Sequence, residues 1–192
     1  AMAHIPLIHG PDGAKLSKRH GALGVESYRA MGYLPDALVN YLVRLGWAHG
    51  DQEVFSRREM IALFDIEKVG RSPARFDFQK LENLNGHYIR EADDAAILKA
   101  VHDLLPRIEG GPRIADKLGE PVVASRLERA IPGLKARAKT LVELVENARW
   151  VWAERPLDLE EKAAALLDDT ARARLGELHE RLMEADPWTV ED

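Results

Sequence analysis

Gly10-Pro11-Asp12-Gly13-Ala14-Lys15-Leu16-Ser17-Lys18-Arg19-His20-Gly21 joins a flexible backbone to concentrated positive charge. Glycine permits close backbone approach to a ligand. Lysine supplies a mobile point charge and arginine a planar fork, a pairing that suits a polyanion. The competing reading is a solvated basic turn between two elements. A Walker A loop is excluded: Gly10 and Gly13 stand too close, Ala14 separates Gly13 from Lys15, and Leu16 follows that lysine. The G-x-G-x-x-G dinucleotide pattern is excluded for want of its glycine triplet.

Outward from this loop, the composition sets bounds. The chain of 192 residues is 31% charged, with ordinary apolar content. It has the length for one large domain or two small ones, and global disorder is not expected. It contains no cysteine, so no disulfide framework and no thiolate metal site. No apolar run approaches the roughly 18 residues of a membrane span. Ala1-Met2-Ala3-His4 lacks the charged and apolar regions of a secretory signal. A cytoplasmic protein with no membrane partner is expected. The net charge of −5 conceals an uneven distribution: residues 107–139 carry +4 and residues 140–192 carry −8. An acidic total can hide a basic face.

Periodicity predicts a mainly α chain. Residues 2–9 read as a buried extended segment with no partner before it. A short helix follows near Val25–Met31, stopped by Gly32. Pro35 opens a clearer helix, with Ala37, Leu38, Tyr41, Leu42 and Leu45 as its packing face. Ser56-Arg57-Arg58-Glu59 is a capping box. Ala74-Arg75-Phe76 reads as a short extended piece, and Asp77 caps a helix in which Asn85-Gly86 is a kink or a stop. From Asp93 onward all is helix. Asp93 or Asp94 caps the first, and Glu109–Pro112 is a turn. Residues 113–131 form one or two helices, broken by Pro132-Gly133. Lys139–Trp152 reads as one helix, Asp158 caps 159–167, and Thr170 caps the last. Thr189-Val190-Glu191-Asp192 looks like the start of another capped helix. Both ends suggest a piece of a longer protein.

Lys15-Leu16-Ser17-Lys18-Arg19 resembles the KMSKS loop of class I aminoacyl-tRNA synthetases. The run Ala3–Ile8, the Pro-Asp-Gly turn and the following His20-Gly21 make it similar to that loop in bacterial glutamyl-tRNA synthetases. The resemblance continues through Gly32-Tyr33-Leu34-Pro35-Asp36-Ala37-Leu38, Leu45-Gly46-Trp47, Phe76-Asp77 and Asn85-Gly86-His87-Tyr88-Ile89-Arg90. It implies three parts. Residues 1–21 would end the catalytic nucleotide-binding domain, and 22–91 would form a helical stem-contact domain with short extended segments. Residues 92–192 would form an incomplete helical-bundle anticodon-binding subdomain.

That family joins glutamate to ATP, releases pyrophosphate, and transfers the amino acid to tRNA(Glu). The resemblance implies that Lys18 is the main phosphate ligand and catalytic residue, with Lys15 and Ser17 ordering the loop or assisting it. Main chain near Ile8 and His9 would meet the adenine ring. Mg²⁺ would arrive with ATP and need no dedicated metal site. Leu134–Leu141 would face tRNA. Arg137 matches an arginine used against the anticodon, with Lys135 and Lys139 beside it. Unstacked anticodon bases are readable by such groups. Arg44, Arg71, Arg75 and Arg90 are further candidates for phosphate contact. Trp150, Trp152 and Trp188 are expected in the core or at a subdomain interface rather than as stacking platforms.

The family's HIGH motif is absent from these 192 residues, and the glutamate pocket would lie upstream. The piece alone is therefore expected to be inactive. The family suggests a monomer. Alternatives are a glutaminyl or non-discriminating enzyme of the same lineage, or a stand-alone helical RNA-binding module. The loop from Gly10 to Gly24 is expected to be mobile without its catalytic partner.

Overall fold

β1 (Ile8–His9) finds its partner far downstream. It pairs in parallel with β2 (Ala74–Arg75), Ile8 opposite Ala74 and His9 opposite Arg75. The computed structural model describes residues 6–10, 12–17, 24–154, 159 and 161–184. Residues 2–5, Lys18 to Gly21, Asp158, Trp188 and residues 189–192 lie outside the described residues. The segment before the loop is less buried than expected: Ile8 and His9 are half-buried and Leu7 is exposed.

Local signals account for most helix boundaries. α1 (Val25–Ala30) ends at Gly32, whose φ is +82°. There the N–H of Gly32 bonds to Arg29 O and that of Tyr33 to Tyr28 O. α2 (Pro35–Arg44) starts with proline, which needs no hydrogen-bond acceptor in the first turn. α3 (Arg57–Leu63) has the full capping box. Glu59 N–H donates to Ser56 Oγ at 3.2 Å, and Ser56 N–H donates to Glu59 Oε2 at 2.7 Å. α4 (Phe78–Glu91) is capped by Asp77, which accepts the Lys80 N–H at 3.2 Å.

Asn85 and Gly86 are neither a kink nor a stop: α4 runs straight through them, and both are buried. α5 (Asp94–Leu104) leads into a 3-10 turn at Leu105–Arg107, and α6 (Gly111–Leu118) begins within the expected turn, after Gly110. α7 (Pro121–Lys135) carries Pro132 inside it. The expected break there does not occur. Leu127 and Ile131 are almost fully buried, and their packing holds the last turn despite the missing N–H. The expected helix 139–152 is two. Thr140 caps α8 (Leu141–Asn147), and a turn at the buried Ala148 leads to α9 (Arg149–Trp152).

The apolar residues form three clusters. Ile89, Ile97, Val101, Leu104, Leu127, Ile131, Leu144 and Val151 belong to the largest, drawn from α4 to α9. An aromatic cluster holds Tyr28, Tyr33, Tyr41 and Phe76 with Leu38 and Leu81; Tyr41 and Phe76 meet edge to face at 5.0 Å. Trp47, Phe55 and Met60 form the third. Each fully buried side chain of this size stabilises the fold by about 1.5–3 kcal/mol. Leu42 departs from the expected packing face of α2 and is 45% exposed. Asn40 is buried in that helix instead. Its Nδ2 donates to Glu53 O at 3.0 Å, and its Oδ1 accepts the Phe55 N–H at 2.7 Å.

Residues 1–152 form one compact unit and residues 153–192 a second. In the second, α10 (Glu161–Ala165) precedes α11 (Asp169–Glu184). The cap of α11 is Asp168 rather than Thr170: Ala171 N–H donates to Asp168 Oδ1 at 2.7 Å.

Candidate phosphate loop and nucleic-acid interface

The described part of the loop is folded on itself. Leu16 N–H donates to Ile8 O at 2.8 Å, Gly10 N–H to Ala14 O at 2.8 Å, and Gly13 N–H to Gly10 O at 3.0 Å. The side chain of Asp12 accepts the Ala14 N–H at 3.0 Å. His9 and Lys15 thus face each other in an antiparallel bridge. Leu16 and Ile8 lean on the aromatic cluster, which roots the hairpin. For Gly10 and residues 12–17 the backbone describes a hydrogen-bonded turn.

This geometry places the predicted residues as follows. Lys15 is exposed and Ser17 is half-buried. Ile8 O already accepts Leu16 N–H, and His9 O accepts Phe76 N–H at 2.8 Å. Each carbonyl keeps a second lone pair for a ligand. Lys18 lies outside the described residues. Arg75 was only one of several arginines singled out, yet its guanidinium reaches the loop. Its Nη2 lies 3.5 Å from where a Cβ on Gly13 would stand. The parallel pairing of β1 with β2 delivers it, a contact that no local pattern signals.

Arg75 also lines a groove of about 490 Å³, with Tyr41, Arg44, Lys80 and His87 among others. Arg44 is engaged there: it donates to Gln52 O and lies 3.5 Å from Glu53 Oε1. Among the described residues no group of His, Asp or Glu is arranged to hold a metal ion. No described helix is long and apolar enough to cross a membrane.

The second candidate surface is the link between α7 and α8. Arg137 and Lys139 are exposed on it. Lys135 is not available in the same way. Its Nζ donates to Ala92 O at 2.7 Å and lies 2.6 Å from Asp94 Oδ1, tying the end of α7 to the start of α5. The link is fixed at its far end. Thr140 Oγ1 accepts the Glu143 N–H at 3.1 Å, and Glu143 Oε2 accepts the Lys139 N–H at 2.7 Å. This reciprocal pair defines where α8 begins. Of the tryptophans, Trp152 packs partly on the large core, and Trp150 is 53% exposed.

The described residues thus combine a basic hairpin rooted on an aromatic cluster with a helical assembly that carries an exposed basic link. The chain belongs to the anticodon-binding domain family, whose model matches residues 79–192. Residues 1–83 match the model of the class I tRNA synthetase (E and Q) catalytic domain. Glutamate–tRNA ligase of Nitrobacter winogradskyi is 61% identical over 190 residues, which cover 99% of this chain and 40% of that protein. Glutamate–tRNA ligase of Rhodopseudomonas palustris is 60% identical over 98% of this chain and 40% of its own length. A solved glutamate tRNA ligase from Elizabethkingia meningosepticum, in complex with its amino acid, superposes with a TM-score of 0.72 at 28% identity. That match covers 96% of this chain and 38% of the other. The chain thus spans about 40% of the length of the curated relatives it matches.

Proposed function

We propose that this chain is a segment of a glutamate–tRNA ligase that activates glutamate with ATP and passes it to tRNA(Glu). The observation that carries the reading is 59–61% identity to glutamate–tRNA ligases along nearly the whole chain. In this reading residues 1–21 belong to the catalytic domain, 22–91 to the stem-contact domain and 92–192 to the anticodon-binding part. The enzyme acts in the cytoplasm as a monomer. The glutamate carboxylate attacks the α-phosphorus of ATP, the bond from that phosphorus to the α,β-bridging oxygen breaks, and pyrophosphate leaves with the bridging oxygen. Charge accumulates on the departing oxygens, and cations held nearby lower that barrier.

Lys18 is the residue assigned to that charge. The hairpin supports the assignment by anchoring the chain shortly before Lys18: Leu16 N–H bonds to Ile8 O and its side chain packs on the aromatic cluster. Lys15 beside it is exposed, and Arg75 adds a guanidinium at Gly13. Mg²⁺ enters with ATP as part of the substrate. Arg137 and Lys139 face the anticodon, while Lys135 braces the link that carries them. The parent enzyme tests this. Lys18→Ala should slow glutamate-dependent pyrophosphate exchange, with tRNA present, by roughly 10²–10³-fold. Exchange within about threefold of the parent rate would refute the assignment of Lys18. Charging of tRNA(Gln) as efficiently as tRNA(Glu) would move the reading to a non-discriminating enzyme.

A further inference from the structure

Asn85 is fully buried in the middle of α4, a position where an amide needs a reason. Its reason is three backbone groups from two other segments. Oδ1 accepts the Leu34 N–H at 2.8 Å; Nδ2 donates to Lys139 O at 2.6 Å and approaches Gly32 O at 3.4 Å. The partners fix the orientation of the amide, since reversing it would set oxygen against two carbonyls and nitrogen against an N–H.

Two glycines make room for the crossing. Gly32 O accepts the Leu141 N–H at 3.0 Å, and Gly86 leaves Lys139 Cα only 3.3 Å from where its own Cβ would stand. The Lys139 peptide is therefore held on both sides: its N–H by Glu143 and its C=O by Asn85. The exposed side chains of Arg137 and Lys139 project from a backbone that this amide locates. The same amide grips the turn that ends α1, the first helix after the phosphate loop.

We propose that Asn85 is a positioning residue for tRNA. It sets the Arg137–Lys139 link in place relative to the turn at Gly32–Leu34, and so fixes where the anticodon contacts stand relative to the loop-bearing end of the chain. This rests on the assignment of Arg137 and Lys139 to tRNA. The test uses the full-length enzyme and its aminoacylation kinetics. Asn85→Asp keeps the acceptor for Leu34 N–H and removes the donor to Lys139 O. It should raise KM for tRNA about tenfold, the effect of roughly one buried hydrogen bond, and leave KM for ATP unchanged.

A merely structural role is separated by repeating the substitution in an Arg137→Ala/Lys139→Ala background. There the position of the link no longer matters, and the further rise in tRNA KM should be under about twofold. A persistent tenfold rise in that background would overturn the proposal, as would an equal rise in KM for ATP. If Arg137→Ala/Lys139→Ala itself leaves tRNA KM unchanged, the interface assignment fails and the proposal falls with it. If that double variant is impaired and Asn85→Asp is not, only the proposal fails. Should Asn85→Asp not fold, Gly86→Ala carries the test. Alanine is favoured over glycine within a helix, yet its Cβ would press on Lys139. Raised tRNA KM with unchanged ATP KM supports the proposal; unchanged tRNA KM refutes it.

Discussion

Replacing Gly32 by alanine should destabilise the first unit far more than its exchange for so small a group suggests. The backbone has φ +82°, where an L side chain costs about 1–2 kcal/mol. A Cβ there would lie 2.6 Å from Val142 N and 2.8 Å from Leu141 N, both main-chain atoms that no rotamer change can move aside. Relief requires shifting the start of α8, which stretches the 3.0 Å bond from Leu141 N–H to Gly32 O. That loss adds about 1–2 kcal/mol, because the carbonyl is left in a crowded interior. The sum is about 3 kcal/mol. For a protein of this size that corresponds to a fall in Tm of roughly 6–12 °C. Gly50→Ala is the internal control. Its φ is +56°, but nothing lies within 4 Å of its Cβ position. Only the backbone part of about 1–2 kcal/mol remains, and Tm should fall by roughly 2–8 °C. Thermal denaturation followed by circular dichroism at one protein concentration compares the two. Equal shifts would refute the claim that the α1–α8 crossing is what demands glycine.

Other perturbations probe separate elements. Lys135→Met should lower stability by no more than about 1 kcal/mol, since Asp94 is half-exposed; urea titration checks this. Asp168→Ala should weaken α11 by about 1 kcal/mol while Thr170→Ala has little effect, read from carbon chemical shifts along the helix. Stability should decline as pH rises from about 10 to 12, because burial, and then the Asp36 and Glu59 charges, push the Tyr88 hydroxyl up to about 12. The unfolded phenol ionises first, so the stabilisation is complete below pH 10 and disappears as the folded value is passed. Urea midpoints at pH 9 and 11.5 measure this, and Tyr88→Phe should shrink the difference.

What was readable in advance was whatever a few neighbouring residues decide. Pro35, Ser56 with Glu59, and Asp77 each sit at a helix start, and Gly32 sits at a helix end. Capping is a contact within four residues and leaves its trace in the local pattern. Pro132 shows the limit. Its local signal says break, but Leu127 and Ile131 are locked in the largest core, and one missing N–H does not outweigh them. Leu42 failed for a related reason. Helical spacing alone makes it a neighbour of Leu38 and Tyr41, but the buried face turns toward Asn40 because Glu53, Phe55 and Tyr88 supply that amide's partners. Asn85-Gly86 was legible as unusual but not as a crossing, since its partners are at Gly32, Leu34 and Lys139. The hairpin residues were found by resemblance. Arg75 at its base and the bracing role of Lys135 come from pairing across the fold.

Charge adds one more constraint on how such a chain can meet a polyanion. With a net charge of −5, long-range attraction to RNA cannot come from the total. At physiological salt the field is screened within about 8 Å, so only cations at the contact itself act. Residues 107–139 hold eight cations against four carboxylates, and Arg137 and Lys139 end that stretch in the open. The residues that follow are acidic, with a net of −8 from 140 to 192. On the proposed reading, the contribution of this segment to RNA binding should depend on where this short basic link points more than on how much charge surrounds it. A buried amide that fixes its backbone is the kind of device such an arrangement requires.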